Sequence, residues 1–400
     1  MKFKVLVVHN AYQQRGGEDA VVDAELELLA SHGHSVRLYS RHNDELRGQS
    51  AGQVLRQTLW SSRTVRELAQ LLRNDRPDVV HVHNTLPLVS PSVYWAAAAA
   101  GVPVVQTLHN FRLLCPQALL LRDNLPCESC VGKAIPWPGI QHACYRQSRI
   151  QTAVVAGTVA LHRGLGTWRN KVAAYIALND FARDKFIQGG VPAERLHVKP
   201  NFIDLPAPIE CAREHALFVG RLSEEKGIRT LVATAARLPA GARLRVIGDG
   251  PLRPLVAGAP GIDYLGSQPQ DQVHDWMRRS GALVLPSICY ENFPRTLVEA
   301  FACGLPVLSS RLGAMPGIIQ EGVTGWLETP GDADAFAARL AHILSQVQAS
   351  RAVGRAARLD YEARFTGPRN VQMLSDIYGS ALSRSGLAIG TVGTVGKRQE

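Results

Sequence analysis

Two glutamates eight residues apart carry the first chemical signal. Glu291 precedes Asn292-Phe293-Pro294, and Glu299 falls inside a helix that the sequence predicts from about Arg295 to Cys303, with Gly304 as its stop. Eight residues of mostly helical chain hold two carboxylates roughly 10 Å apart or somewhat more. Pro294 suits a helix start, where a missing N–H costs nothing. The free N–H groups and the dipole at that start attract an anion. Carboxylates beside an anion site cannot grip phosphate, but they accept hydrogen bonds from sugar hydroxyls. The spacing suits two hydroxyl-bearing rings on either side of a diphosphate. Taken alone, it equally suits a helix with one acid near its start and another on an exposed face.

Arg221 and Lys226 supply countercharge. They follow an apolar segment in Gly220-Arg221-Leu222-Ser223-Glu224-Glu225-Lys226-Gly227. In an open parallel sheet, ligands bind beyond the carboxyl ends of the strands. Both cations and the Glu291 loop therefore share one rim. A guanidinium and an ammonium beside a helix start neutralise a leaving diphosphate without a metal, so no catalytic cofactor is expected. A surface charge cluster with Glu224 and Glu225 is the bland alternative.

The elements that must hold these groups alternate short apolar strands with amphipathic helices, the pattern of parallel sheets with crossover helices. Strands are predicted at Val5–Val8, Ser35–Tyr39, Asp78–Val82, Val102–Leu108 and Ala174–Leu178, the last of its half. Helices are predicted near Asp19–Ser31 and Val54–Asn74, the second bearing Arg56, Arg63, Arg66 and Arg73. The rhythm restarts with strands at Ala216–Gly220, Leu244–Ile247, Ile262–Leu265, Ala282–Leu285 and Pro306–Ser309. The fold class is α/β, with two Rossmann-like domains whose parallel sheets face across a cleft. Residues 1–203 form the first domain, with a Cys-rich insert at about 110–149, and residues 204–366 the second, joined near Asn201–Glu210. A helix at 367–382 packs back on the first domain. A disordered tail at 383–400 is rich in Gly, Ser and Thr.

Gly220-Arg221-Leu222 with Lys226-Gly227, then Glu291-Asn292-Phe293-Pro294 with Glu299 through Val307, resembles glycosyltransferase family 4. The likeness extends to Gly16-Gly17-Glu18, Asp78–His83, Pro103–His109, Lys199-Pro200-Asn201 and Gly322–Trp326. It implies the GT-B fold and a retaining transfer of sugar from a nucleoside-diphosphate sugar to an acceptor hydroxyl. It implies that Arg221 and Lys226 contact the diphosphate, Glu291 the donor sugar and Glu299 the ribose. Asn292 and Phe293 join the donor site, and backbone N–H groups of Thr296, Leu297 and Val298 assist at the phosphates. His109 reaches the donor sugar across the cleft, although strand-end histidines are often structural. Gly16 and Gly17 let backbone approach the donor or acceptor closely. The acceptor implied is a glycan or lipid-linked glycan of a cell-surface pathway.

Cys115, Cys127, Cys130 and Cys144 follow the pattern C-x11-C-x2-C-x13-C within the Pro-rich insert. A Cys-x-x-Cys pair with two outliers suits structural Zn²⁺. Ordinary buried thiols and a redox pair fit the same residues.

The chain has 400 residues and a net charge of +10. Residues 1–200 hold 23 Lys and Arg against 15 Asp and Glu, so the excess sits in the first half. That suits a peripheral contact with anionic lipid, although solubility alone explains it as well. The sequence shows no export signal and no membrane-spanning apolar run. The expected location is cytoplasmic, peripheral on the inner face of the cell membrane. Three rivals share some features: a sugar-nucleotide epimerase, a nucleotide-sugar-binding protein without turnover, and a zinc-ribbon nucleic-acid binder. The last leaves the paired glutamates unexplained, and no nucleic acid partner is expected.

Overall fold

The computed structural model describes residues 1–207 and 213–384. The first domain is built on β1 (Lys4–Ala11), β2 (Ser35–His42), β3 (Val79–Val82) and β4 (Val104–Thr107). A two-stranded hairpin, β5 (Leu121–Arg122) with β6 (Leu125–Pro126), lies in the insert; β7 (Ala174–Ala177) and β8 (Leu196–Val198) complete the sheet. The second domain holds β9 (Glu214–Val219), β10 (Leu244–Ile247), β11 (Ile262–Gly266), β12 (Ser280–Leu285), β13 (Val307–Ser310) and β14 (Gly325–Glu328).

Both six-stranded sheets are wholly parallel. The first runs β2-β1-β3-β4-β7-β8 and the second β11-β10-β9-β12-β13-β14. Numbered within itself, the second sheet reads 3-2-1-4-5-6, the doubly wound order, and its strand order reverses between β9 and β12. The fold is GT-B.

Strand alternation divides each core in two. Val5 and Val7 enter the cluster on one face of the first sheet, Leu6 and Val8 the cluster on the other. In the second sheet Ala216 and Phe218 face one way and Leu217 the other. Both faces are covered, so these strands read as unbroken apolar runs.

The Gly367–Arg384 helix places Val371, Leu374, Ile377, Tyr378 and Ala381 on one stripe. That stripe joins the core of the first domain, so the chain crosses between domains twice. The two crossings are bonded to each other. The Ile203 N–H donates to the Phe365 carbonyl at 3.0 Å, and the Tyr361 hydroxyl donates to the Ile203 carbonyl at 2.8 Å.

Several expectations need correction. The helix at Val54–Asn74 is two helices, Ala51–Leu59 and Ser62–Asp75. Ser61 interrupts them: its hydroxyl caps the second helix through the Thr64 N–H, while its own N–H donates to Ser90 Oγ at 2.9 Å. Ala174–Ala177 is not the last strand of its half, because β8 pairs beyond it. Ser383 and Arg384 belong to the final helix rather than a disordered tail. The rest of that tail, and positions 208–210 of the expected linker, lie outside the described residues.

Candidate active site

The loops after β9 and β12 meet where the second sheet's order reverses. The Ile288 N–H donates to the Glu225 carbonyl at 3.0 Å. Gly227 sits at φ +71°, and a Cβ there would lie 1.8 Å from the Pro286 carbonyl oxygen. Only glycine permits this closeness. The approach delivers Lys226 to Glu291, with Nζ 2.6 Å from Oε1. Ser287 Oγ donates to the same oxygen at 2.7 Å, and Oε2 has no hydrogen-bond partner among the described residues. Burial works to raise the Glu291 carboxyl, but the Lys226 charge and the two hydrogen bonds hold it below its ordinary range. Burial works to lower the Lys226 ammonium, and Glu291 more than offsets this. The two form an ion pair at neutral pH. Arg221 is exposed on the same loop and has no side-chain partner among the described residues.

The helix Arg295–Ala302 follows directly. The side chains of Leu297 and Val298 are fully buried core, so only their backbones could face a ligand. Their N–H groups both donate to the Pro294 carbonyl, at 2.9 and 3.4 Å. Thr296 N–H is left without a partner among the described residues. Phe293 packs on Phe365, with ring centroids 6.4 Å apart. Glu299 is buried, and its Oε1 accepts from Arg295 Nε at 2.9 Å and Gln270 Nε2 at 3.2 Å. Burial pushes its carboxyl upward, yet His274 and Arg295 beside it keep it below the usual range. Gln270, His274 and Arg295 also line an interdomain cavity of about 400 Å³, opposite Val21 and Leu28 of the first domain. Neither Lys226 nor Glu291 lines it.

Asn292 is placed differently from a donor contact. Its side-chain Nδ2 donates to the Leu108 carbonyl at 2.7 Å, across the cleft, and its own carbonyl accepts from Asn179 Nδ2. This joins the Glu291 loop to the strand end bearing His109.

Behind His109 runs a buried polar chain. His109 Nε2 lies 2.8 Å from His83 Nδ1. His83 Nε2 is 3.3 Å from Glu25 Oε1, and Lys199 Nζ is 3.1 Å from Glu25 Oε2. Burial, with His83 adding, keeps the His109 imidazole neutral well below its ordinary titration range. Burial pushes His83 down to about 4. Glu25 is held well below the carboxylate range; burial opposes this, but Lys199 and His81 prevail. Ligand atoms of Glu25, His81 and His83 lie within 4.8 Å of one another, as a metal would need. Yet Lys199 already compensates Glu25, and both His81 nitrogens are used, by Tyr378 OH and Thr107 Oγ1 at 2.8 Å each.

Gly16 and Gly17 open the helix Gly17–Ser31. Neither has a positive φ, and a Cβ on Gly17 would meet nothing within 4 Å. Neither the packing nor the backbone conformation of the chain itself demands glycine there. Glu18 beside them accepts from the Tyr12 hydroxyl at 2.7 Å, and burial pushes its carboxyl up to about 7.

The four insert cysteines line one small cavity and carry free thiols. Burial pushes the Cys130 thiol up to about 11. Between Cys127 and Cys130, Glu128 accepts from Tyr290 OH at 2.8 Å and Lys185 Nζ at 2.8 Å, so the insert also touches the neighbour of Glu291. Asp332-Ala333-Asp334 has the spacing of a divalent-cation pair, so a metal-free donor site cannot be argued from the lack of such a segment. Asp332 caps the Ala333–Ser345 helix through the Ala335 N–H, and Asp334 holds Arg237 at 2.7 Å.

Glu25, His83, Lys199, Ser287 and Glu128 went unassigned from sequence. Glu25 left one trace: it occupies an apolar position among Val21, Val22, Leu28 and Leu29 on the buried helix stripe. His81 on β3 and His83 just past its end left another, being two apart in extended chain and so on one face. Ser287 left none.

Residues 15–206 match the Glycosyltransferase Family 4 model, and residues 213–346 match the model described as Glycosyl transferases group 1. The chain is 27% identical over 410 residues to 2-deoxystreptamine N-acetyl-D-glucosaminyltransferase of Streptomyces fradiae, covering 96% of this chain and 91% of that one. It is 33% identical over 174 residues to sulfoquinovosyl transferase SQD2 of Arabidopsis thaliana, covering 40% of this chain and only 34% of that protein. With amylovoran biosynthesis glycosyltransferase AmsK of Erwinia amylovora it shares 32% identity over 216 residues, 48% of this chain and 53% of that one. The chain thus matches about a third to a half of the length of these last two relatives. Among solved structures, Anabaena Alr3699/HepE in complex with UDP superposes with a TM-score of 0.64 at 19% identity, covering 94% of this chain and 100% of that one. Sucrose-phosphate synthase (tll1590) from Thermosynechococcus elongatus superposes with a TM-score of 0.68 at 17% identity, covering 95% and 99%. Among the described residues, no helix is long and apolar enough to cross a membrane.

Proposed function

We propose that this chain, a GT-B glycosyltransferase by the family matches of its two domains, moves a sugar from a nucleoside-diphosphate donor to an acceptor hydroxyl and keeps the anomeric configuration. One observation carries the reading. The Lys226–Glu291 pair stands at the second sheet's switch point, and its loop is bonded across the cleft to the strand end that bears His109.

In this reading Arg221, Lys226 and the unpaired Thr296 N–H hold the diphosphate. Glu291 accepts from a hydroxyl of the donor sugar, with Lys226 sharing its charge between carboxylate and phosphate. Glu299, fixed by Arg295 and Gln270, accepts from the ribose. The neutral His109 accepts or donates one hydrogen bond at the sugar without adding charge. The open space at Gly17 leaves room for a ligand against the backbone. The acceptor oxygen attacks the anomeric carbon from the face on which the diphosphate departs. The new C–O bond forms as the old one breaks, and a leaving-phosphate oxygen takes the acceptor's proton. The products are a glycoside and a nucleoside diphosphate. Fixed cations at the departing phosphate supply the main stabilisation of the transition state.

The acceptor proposed is a glycan or lipid-linked glycan of cell-surface polysaccharide synthesis, in line with the relative named for amylovoran biosynthesis. A peripheral membrane contact is proposed at the exposed side chains of Leu55, Arg56, Trp60, Arg63 and Arg66, with Arg63 already paired to Glu45 and Glu67. The test is a donor screen that detects released nucleoside diphosphate, with and without extracted lipid. Release in the presence of lipid by wild type, lost in Arg221→Ala/Lys226→Ala, is expected. Wild-type rates in that double variant would overturn the assignment.

A further inference from the structure

The insert between β4 and the Arg149–Gly164 helix has little to hold it together. Phe111, Leu114 and Leu120 anchor it in the core of the first domain, but Leu125, Ile135 and Trp137 are exposed, so its outer part has no core of its own. Of the ten non-glycine residues with positive φ among the described residues, seven lie between Ala118 and Gln147, including Ala118, Leu120 and Ala143. Such residues cost free energy there unless the surroundings fix them. Small segments that cannot build a core need a disulfide or a metal, and the cysteines here form no disulfide.

The chain delivers the four thiols from three separate places. Cys115 ends the turn after Phe111, whose carbonyl accepts from the Cys115 N–H at 2.9 Å. Cys127 and Cys130 flank a tight turn that leaves the β5–β6 hairpin, anchored by the Cys127 N–H on the Leu120 carbonyl at 2.7 Å. Cys144 follows the Trp137–Gln141 helix, its N–H on the Gly139 carbonyl at 3.0 Å. All four line one cavity of about 10 Å³, with Arg122 in its wall; among the described residues no three of the sulfurs lie within 4.8 Å of one another, so a metal must draw them inward by side-chain rotation. That volume holds a single water or a bare ion and nothing larger. Glycine at 139 keeps the wall close: a Cβ there would sit 3.0 Å from Pro116 and 3.5 Å from Cys130 Sγ.

We propose that Cys115, Cys127, Cys130 and Cys144 bind one structural Zn²⁺ as a tetrathiolate, and that this centre fixes the Cys127–Cys130 turn so that Glu128 can clasp Tyr290. Four thiols release four protons as the Zn–S bonds form, which leaves a centre of charge −2 beside the Arg122 guanidinium. No electron is transferred. The clasp reaches the residue next to Glu291, so the centre sets how the first domain's insert meets the second domain's site loop. The site is independent of which sugar, or whether any sugar, is transferred.

The experiment is metal analysis of the full chain purified under reducing conditions, followed by Co²⁺ exchange. About one zinc per chain is expected. Co²⁺ should give the intense visible bands and thiolate-to-cobalt charge transfer of a tetrahedral four-sulfur site. Cys127→Ser/Cys130→Ser should lose the metal and Cys303→Ser should keep it. Chelation should raise hydrogen exchange across 110–149 while leaving the two sheets protected. Absence of metal together with no cobalt spectrum would overturn the proposal, and so would a Cys127–Cys130 disulfide in the native protein. Because wild-type metal content is read directly, a variant that fails to fold does not decide the result.

Discussion

Asn292 donates its side-chain amide to the Leu108 carbonyl at 2.7 Å, from one domain to the other. Each partner is the chain neighbour of a candidate site residue, Glu291 in one case and His109 in the other. One bond between backbone and amide therefore sets the two halves of the site against each other. Asn179 reinforces it, with Oδ1 capping its own helix at Ala182 N and Nδ2 bonded to the Asn292 carbonyl.

Asn292→Ala should leave the buried Leu108 carbonyl unpaired, a cost of about 1–3 kcal/mol. Turnover should fall about tenfold or more if that cost is met by opening the cleft. Asn179→Asp separates the two roles of Asn179. It keeps the helix cap, since Asp caps as well as Asn, but loses the donor to Asn292. Steady-state kinetics alongside thermal melts should show lost activity with the cap's stability retained. Equal loss of both would count against the interdomain role.

Arg221 and Lys226 should respond differently. Arg221→Ala removes an exposed, unpartnered side chain, so stability should change by less than about 0.5 kcal/mol. Its effect should fall on donor KM. Lys226→Met strips Glu291 of its cation, and turnover should drop by about 10²-fold or more. Adding Glu291→Gln to that variant should cost little further, because the two act as one unit. Additive losses in the kinetic cycle would refute the pairing.

Glu299→Ala should weaken binding of the nucleoside diphosphate by about ten- to a hundredfold, the range of a lost charge-assisted hydrogen bond. Glu299→Gln should recover part of that. Calorimetric titration of the product checks it, and unchanged affinity would move the ribose site elsewhere.

Stability should fall on both sides of a mildly acidic optimum. His83 titrates at about 4 when folded against an ordinary 6.5, so below 6.5 the unfolded chain takes the proton first. Its contribution is lost as pH falls from 6.5 toward 4. Glu18 runs the opposite way, at about 7 against 4.5. The folded chain keeps that proton longer, and stability falls as pH rises from 4.5 through 7. Glu18→Gln should therefore melt higher than wild type at pH 8, the difference shrinking toward pH 5. A melting-temperature difference that stays constant between pH 8 and pH 5 would exclude a raised Glu18.

The sequence made some of this legible and concealed the rest for physical reasons. Parallel strands buried on both faces are apolar runs, so β1, β10 and β12 stand out. The Val54–Asn74 periodicity continues through Trp60 and Ser61, and only the distant Ser90 shows why the helix stops there. The rule about strand ends put Lys226 and the Glu291 loop on one rim, whereas the ion pair between them is a property of the folded loops. Asn292 joined the donor site by the resemblance; that its Nδ2 bonds to Leu108, 184 residues away, is visible only in the fold. Cys127 and Cys130 are a local signal, whereas the arrival of Cys115 and Cys144 at the same cavity is a property of the folded loop.

The bond between Ile203 and Phe365 has a mechanical consequence. A lone connector would let one lobe swivel on the other in any direction. Two adjacent plies fastened together resist twisting and sideways slip but still flex about the line between them. Any opening that keeps this bond must pivot beside it, like a book on its spine, and so brings the facing pages back to one alignment when they shut.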